Sequence, residues 1–152
     1  MILVDSNVWV YFLDASTKEH ARVNAALPRL MDEEELLVPT LVQMEVVQYL
    51  VKRLGAGAGA AVDAFLAQAA EVAPLTGGIT SEAARLLLAH HGDGIGGRDA
   101  SLLVMAKRHS ATILSNDKAL VKVAKAMGLR TANPASGPSG GPRDLQGPPR
   151  KG

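Results

Sequence analysis

Acidic residues in this chain fall where carboxylates can act together. Asp5 directly follows the apolar run Ile2-Leu3-Val4, and Asp117 closes Ser115-Asn116-Asp117 after Thr112-Ile113-Leu114. Both apolar runs read as short strands, and in open α/β sheets ligands bind beyond the carboxyl ends of strands. If the two strands are neighbours, their acids converge. Asp99 opens a helical pattern in Gly97-Arg98-Asp99-Ala100-Ser101, and Glu45 interrupts an apolar helix in Met44-Glu45-Val46-Val47. Each acid also has an ordinary structural role open to it. Asp99 complements a helix dipole from the first turn, and Glu45 shares a polar face with Gln48 and Lys52 at i, i+3 and i+7. The combination is more telling. Carboxylates brought together without a cation raise one another's pKa, and burial adds to the cost. An all-carboxylate set suits a hard divalent ion, Mg²⁺ or Mn²⁺. Such an ion activates water, polarises a phosphoryl oxygen and stabilises the leaving oxygen.

Other chemistries find less support. Cysteine is absent, which removes disulfides, thiolate ligands and cysteine nucleophiles. His20 and His109 are isolated, and the adjacent His90-His91 point apart on a helix, whereas a ligand pair needs i, i+3 or i, i+4 spacing. Near a helix end stopped by Gly92, that pair is expected to meet the negative end of the helix dipole. No Ser-His-Asp order and no glycine loop with lysine is present. A phosphoaspartate phosphatase would want an acid two residues after Asp5, where Asn7 stands. A receiver domain would want paired acids at the first strand end. Trp9, Tyr11 and Phe12 follow Asp5 and offer either a base-stacking surface or packing in the core or a dimer interface.

The elements that must position these residues alternate. Strands are expected at residues 2–5, 36–38, 71–74, 112–114 and 129–131, with helical patterns between them. Ser16-x-x-Glu19 and Thr40-x-x-Gln43 read as capping boxes. Leu41, Met44, Val47, Leu50, Val51 and Leu54 recur at helical spacing, on a helix able to face the sheet or a second copy. The order βα, α, βα, α, βα, α, βαβ predicts an α/β fold: one domain, a mostly parallel sheet, helices on both faces. Gly55-Ala-Gly-Ala-Gly is expected to be a flexible entry to the next helix.

At 152 residues the chain suits one domain, here residues 1–132, plus an appendage at 133–152. The appendage has five Gly, five Pro and one large aliphatic, Leu145, so it is expected to be disordered. Arg143, Arg150 and Lys151 against Asp144 give it +2, which leaves the body at −1 of the total +1. That balance argues against nucleic-acid binding through bulk charge. A local patch is offered by Lys118, Lys122 and Lys125 at i, i+4 and i+7, with Arg98 as a further candidate contact to a nucleic-acid phosphate. No stretch is long enough to cross a bilayer, the start lacks a signal-peptide pattern, and the expected location is the cytoplasm.

These residues carry a resemblance. Asp5-Ser6-Asn7 after an apolar strand, Glu45 in the helix after Val38-Pro39, Asp99-Ala100 opening a helix and Ser115-Asn116-Asp117 after a strand look like the PIN domain. More narrowly, the chain resembles the compact VapC-type toxin ribonucleases of toxin–antitoxin pairs, in order from Met1 to about Thr131. The resemblance implies a metal-dependent endoribonuclease acting on RNA, a homodimer and inhibition by a cognate antitoxin; the short apolar stretches already argue for no membrane partner. It makes Asp5, Glu45, Asp99 and Asp117 metal ligands and catalytic residues. Ser115 matches a small hydroxyl residue often found two before the last acid and suited to a metal-bound water. Asn7 or Ser6 would orient Asp5. The glycine-rich Gly94-Ile-Gly-Gly before Arg98 departs from the family pattern and leaves Asp93 as a fallback for Asp99. The alternatives are a housekeeping PIN nuclease and a PIN-like binding module without turnover.

Overall fold

Alternate residues along the central strands point to opposite faces, and both faces are apolar. The computed structural model describes residues 1–69 and 71–136. Its strands are β1 (Ile2–Val4), β2 (Leu36–Pro39), β3 (Glu71–Ala73), β4 (Thr112–Leu114) and β5 (Thr131–Ala132). They form one all-parallel sheet in the order β3-β2-β1-β4-β5. Parallel neighbours require crossovers, and helices provide them. These are α1 (Ser6–Leu13), α2 (His20–Glu33), α3 (Thr40–Leu54), α4 (Gly59–Leu66), α5 (Gly77–Ala89), α6 (Gly97–Arg108) and α7 (Lys118–Ala126). The element order matches the one expected from periodicity.

Two cores lie on the two sides of the sheet. Ile2, Val4, Leu36, Val38 and Leu114 pack with Val8, Trp9, Val23, Leu27, Val42, Val46 and Phe65, on the side of α1 to α4. Leu3, Leu37 and Ile113 pack with Ile79, Ala83, Leu103, Leu120 and Val123, on the side of α5 to α7. The period of two along each strand thus feeds both cores. Helix α6 is buried continuously from Ala100 to Ala106, and its Leu102 reaches the first core while Leu103 belongs to the second.

Several local expectations are corrected. Ser16 does not cap α2: its backbone N–H and its hydroxyl both donate to Asp14 Oδ1, at 2.9 and 2.6 Å. The upstream carboxylate wins Ser16 for a turn, and α2 starts behind Glu19 with no side-chain cap. Thr40 is the first residue of α3 rather than its cap. Strand β2 runs straight into the helix there, and the Thr40 hydroxyl accepts from the Leu75 N–H at 3.3 Å. Gly55–Ala58 forms a 3₁₀ turn, entered by Gly55 at a φ of +61°. Trp9 is wholly buried against Phe12 and Phe65, so it packs the core and offers no stacking surface.

The packed chain continues past Ala132. Asn133 Nδ2 donates to Asn116 Oδ1 at 2.8 Å, and Ala135 is buried in the first core. Residues 137–152, the bulk of the expected disordered appendage, lie outside the described residues. Among the described residues no helix is long and apolar enough to cross a membrane.

Candidate active site

The pairing of β1 with β4 builds the centre of the site. Their register sets Val4 beside Leu114, so the residues that follow, Asp5 and Ser115, leave the sheet side by side. Asp5 is 1% exposed. Its Oδ1 accepts from the Ser6 N–H at 2.7 Å, capping α1. Its Oδ2 accepts from Ser115 Oγ at 2.7 Å and from Asn7 Nδ2 at 3.4 Å. Ser115 is itself fully buried, and its hydroxyl also accepts from the Asp117 N–H at 3.0 Å. Asp117 in turn caps α7, Oδ1 accepting from the N–H groups of Ala119 and Leu120 at 2.9 and 3.2 Å. One serine therefore fixes two acids whose side chains each begin a helix.

The other two acids arrive from helices. Helix α3 packs against α1 and brings Glu45 to Ser6, whose hydroxyl donates to Glu45 Oε2. Helix α6 begins at Gly97 behind Gly96, which places Asp99 in the first turn. Arg98 stands between them. Its Nε and Nη2 donate to the two oxygens of Glu45, the latter at 2.8 Å. Its Nη1 donates to Asp99 Oδ1 at 2.9 Å, and Nη2 also reaches Asp5 Oδ1 and, at 2.7 Å, Ser6 Oγ. One guanidinium thus bridges three of the four acids. Burial alone would push the Glu45 carboxyl up, but the hydrogen bonds from Arg98 and Ser6 and the Arg98 charge outweigh it and hold it below the usual range. Asp99 is pushed up, chiefly by burial and further by the Asp117 charge, despite its bond to Arg98. Burial opposes the charge on Arg98 as well, and its bonds to Glu45 and Asp5 more than restore it.

The donor set is all carboxylate oxygen, which is what Mg²⁺ or Mn²⁺ takes. The anions gathered at Arg98 need more positive charge than one guanidinium provides. In that sense the residues fit a hard divalent ion. Among the described residues, however, no three acids or histidines are spaced to hold a metal, and Arg98 lies across three of the carboxylates.

Asp5, Glu45 and Asp99 are thus brought together, Asp117 is tied in through Ser115, and Asn7 contacts Asp5 as its motif implied. Asn7 Oδ1 also accepts from the Asn116 N–H at 3.3 Å. Other candidates sit differently. Arg98 bonds to Glu45, Asp99 and Asp5. Ser6 orients Asp5 through its N–H, while its hydroxyl serves Glu45. Asp93, the fallback acid, is taken by His90 Nδ1 at 2.8 Å and Lys122 Nζ at 3.5 Å. Lys118, Lys122 and Lys125 are exposed on α7. The histidines are engaged elsewhere: His20 with the Tyr11 carbonyl, His91 with the Leu88 carbonyl and His109 near Glu71. Asn116, quoted in its motif but given no role from the sequence, links Asn7, Tyr11 Oη at 3.1 Å and Asn133. Its place between Ser115 and Asp117 was the available signal.

Comparison with known proteins matches this arrangement. The PIN domain family profile matches residues 2–126. No curated protein sequence matches the chain. Among solved structures, FitAcB from Neisseria gonorrhoeae is similar with a TM-score of 0.72 and 23% identity, covering 88% of this chain and 98% of that one. VapC20 from Mycobacterium tuberculosis, a Sarcin-Ricin loop cleaving toxin, is similar with a TM-score of 0.67 and 20% identity, covering 81% and 95%. VapBC2 from Rickettsia felis, bound to a DNA fragment from its promoter, is similar with a TM-score of 0.65 and 21% identity, covering 88% and 98%. At these identities the likeness is one of fold. With four acids gathered at the end of β1 and the family profile spanning most of its length, the chain belongs to the PIN domain family.

Proposed function

We propose that this PIN domain is a metal-dependent endoribonuclease and the toxin of a type II toxin–antitoxin pair. The observation that carries the proposal is the meeting of Asp5, Glu45 and Asp99 on one guanidinium, with Asp117 joined to Asp5 through Ser115. Asp5, Glu45, Asp99 and Asp117 would hold Mg²⁺ or Mn²⁺, which when bound supplies an activated water and neutralises charge on the phosphoryl group. The protein's own part is positioning. Ser115, Asn7 and the Ser6 N–H hold the Asp5 carboxylate in one orientation, and burial in the end of the sheet limits its exchange with water. VapC20, a toxin that cleaves the Sarcin-Ricin loop, supports RNA as substrate. The toxin–antitoxin structural neighbours support a cognate antitoxin as partner. A homodimer over α3 is consistent with its exposed Met44, Val51 and Leu54.

The test is cleavage of a structured RNA with Mn²⁺ and with chelator. Wild type should cut only with the ion and leave 5′-phosphate and 3′-hydroxyl ends. A 2′-hydroxyl attack would want a base beside the acids, and His20, His90, His91 and His109 are all bonded or paired away from them. Asp5→Asn should fold, because Asn caps a helix as well as Asp, and should lose about a hundredfold or more in rate. Full Mn²⁺-dependent cleavage by folded D5N, or 2′,3′-cyclic phosphate ends from wild type, would overturn the proposal.

A further inference from the structure

We propose that Arg98 is a built-in counter-ion that competes with the divalent cation for Asp5, Glu45 and Asp99, so that the ion enters as the guanidinium leaves. The inference rests on the metal site proposed above. A hard ion binds carboxylate oxygens at roughly 2.0–2.2 Å and needs their lone pairs free. Here those lone pairs are in use. Both Glu45 oxygens accept from Arg98, in the bidentate manner a guanidinium favours, and one Asp99 oxygen and one Asp5 oxygen accept from it as well. The ion and the side chain therefore want the same atoms.

Three features make the exchange workable. Three carboxylates against one guanidinium leave an excess of negative charge, which a doubly charged ion relieves better than a singly charged one. The Arg98 side chain is 32% exposed, whereas Asp5 beneath it is 1% exposed, so the arginine lies at the mouth and has a way out to solvent. The backbone just before it has room as well. Gly96, the residue before α6, makes no side-chain cap, and a Cβ built on Gly96 or Gly97 would meet nothing within 4 Å. The two glycines that lead into Arg98 thus have open space on their side-chain positions. In the ion-free protein the arginine keeps the acids from repelling one another. With the ion present it is set free beside the acids, where a phosphate is a matching partner for its planar fork.

Direct binding separates this inference from the metal site on which it rests. Mn²⁺ is titrated into wild type, Arg98→Gln, Arg98→Lys and Asp5→Asn, with affinity read by calorimetry and by the EPR signal of free Mn²⁺, and melting followed in chelator and in Mn²⁺. R98Q should bind the ion about tenfold or more tightly than wild type. It should melt lower than wild type in chelator and gain more from Mn²⁺. R98K, whose ammonium cannot bridge two carboxylates in plane, should fall between them and serves if R98Q does not fold without the ion. Equal or weaker binding by both Arg98 variants, with D5N losing the ion, would overturn the competition and leave the metal site standing. No Mn²⁺ binding by wild type or by either Arg98 variant would remove the metal site and the competition together.

Discussion

Ser115 is a small residue with two obligations. Its hydroxyl donates to Asp5 Oδ2 and accepts the Asp117 N–H, all without exposure to water. Replacing it with Ala removes both bonds and leaves the buried Asp5 oxygen short of a donor. The expected cost is about 1–3 kcal/mol of stability, read as a lower urea midpoint with an unchanged slope. A hydroxyl that met only a metal-bound water would show no such loss in chelator. The motif was legible here because both acids follow apolar strands and Ser115 lies between strand and acid. The role of Arg98 was not. Its partners Glu45 and Asp5 lie 53 and 93 residues away in the chain, and an arginine next to an acid looks the same whether it faces solvent, substrate or a ring of carboxylates.

Between elements, Asp14 does for the start of the chain what Ser115 does for the site. It ends α1, turns the chain through Ser16 and Thr17, and reaches α3 by accepting from Tyr49 Oη and pairing with Arg53 Nε at 3.4 Å. The hydroxyl of Ser16 first, then that of Tyr49, hold its carboxyl down at about 2. The folded value lies below the unfolded one of about 3.9, so the stabilisation is present above pH 4 and is lost as pH falls toward 2. Asp14→Asn should therefore melt below wild type at pH 6, with the gap closing between about pH 4 and pH 2. A gap that is flat across that range would show that the charge on Asp14 adds nothing. This junction also explains the misread cap at Ser16. A local S-x-x-E pattern is legible, but Asp14, two residues upstream, binds Ser16 first. By contrast the order of strands and helices was legible in full, because a sheet covered on both faces keeps its central strands apolar and most of its helices amphipathic.

Over the whole molecule the charge is nearly balanced, at +1, so affinity for a polyanion must be local. Lys118, Lys122 and Lys125 remain the stripe nearest Asp117, but Lys122 is shared with Asp93 at 3.5 Å. Each free lysine that meets a phosphate of single-stranded RNA adds about 0.7 to the salt slope. Changing Lys118 and Lys125 to Gln should flatten the slope by about 1.4, and adding Lys122→Gln should change it little further. A slope unmoved by all three would place the RNA path elsewhere. The sheet order carries a consequence in time. Strand β1 lies at the centre, yet one of its two neighbours is β4, and Ser115 is made 110 residues after Asp5. At ribosomal speed that is a delay on the order of ten seconds. Until β4 emerges, Asp5 has no serine beside it, Asp117 is not yet made, and the four acids cannot meet. The constellation is therefore incomplete for most of the chain's synthesis, and a chain that stops short of β4 never completes it.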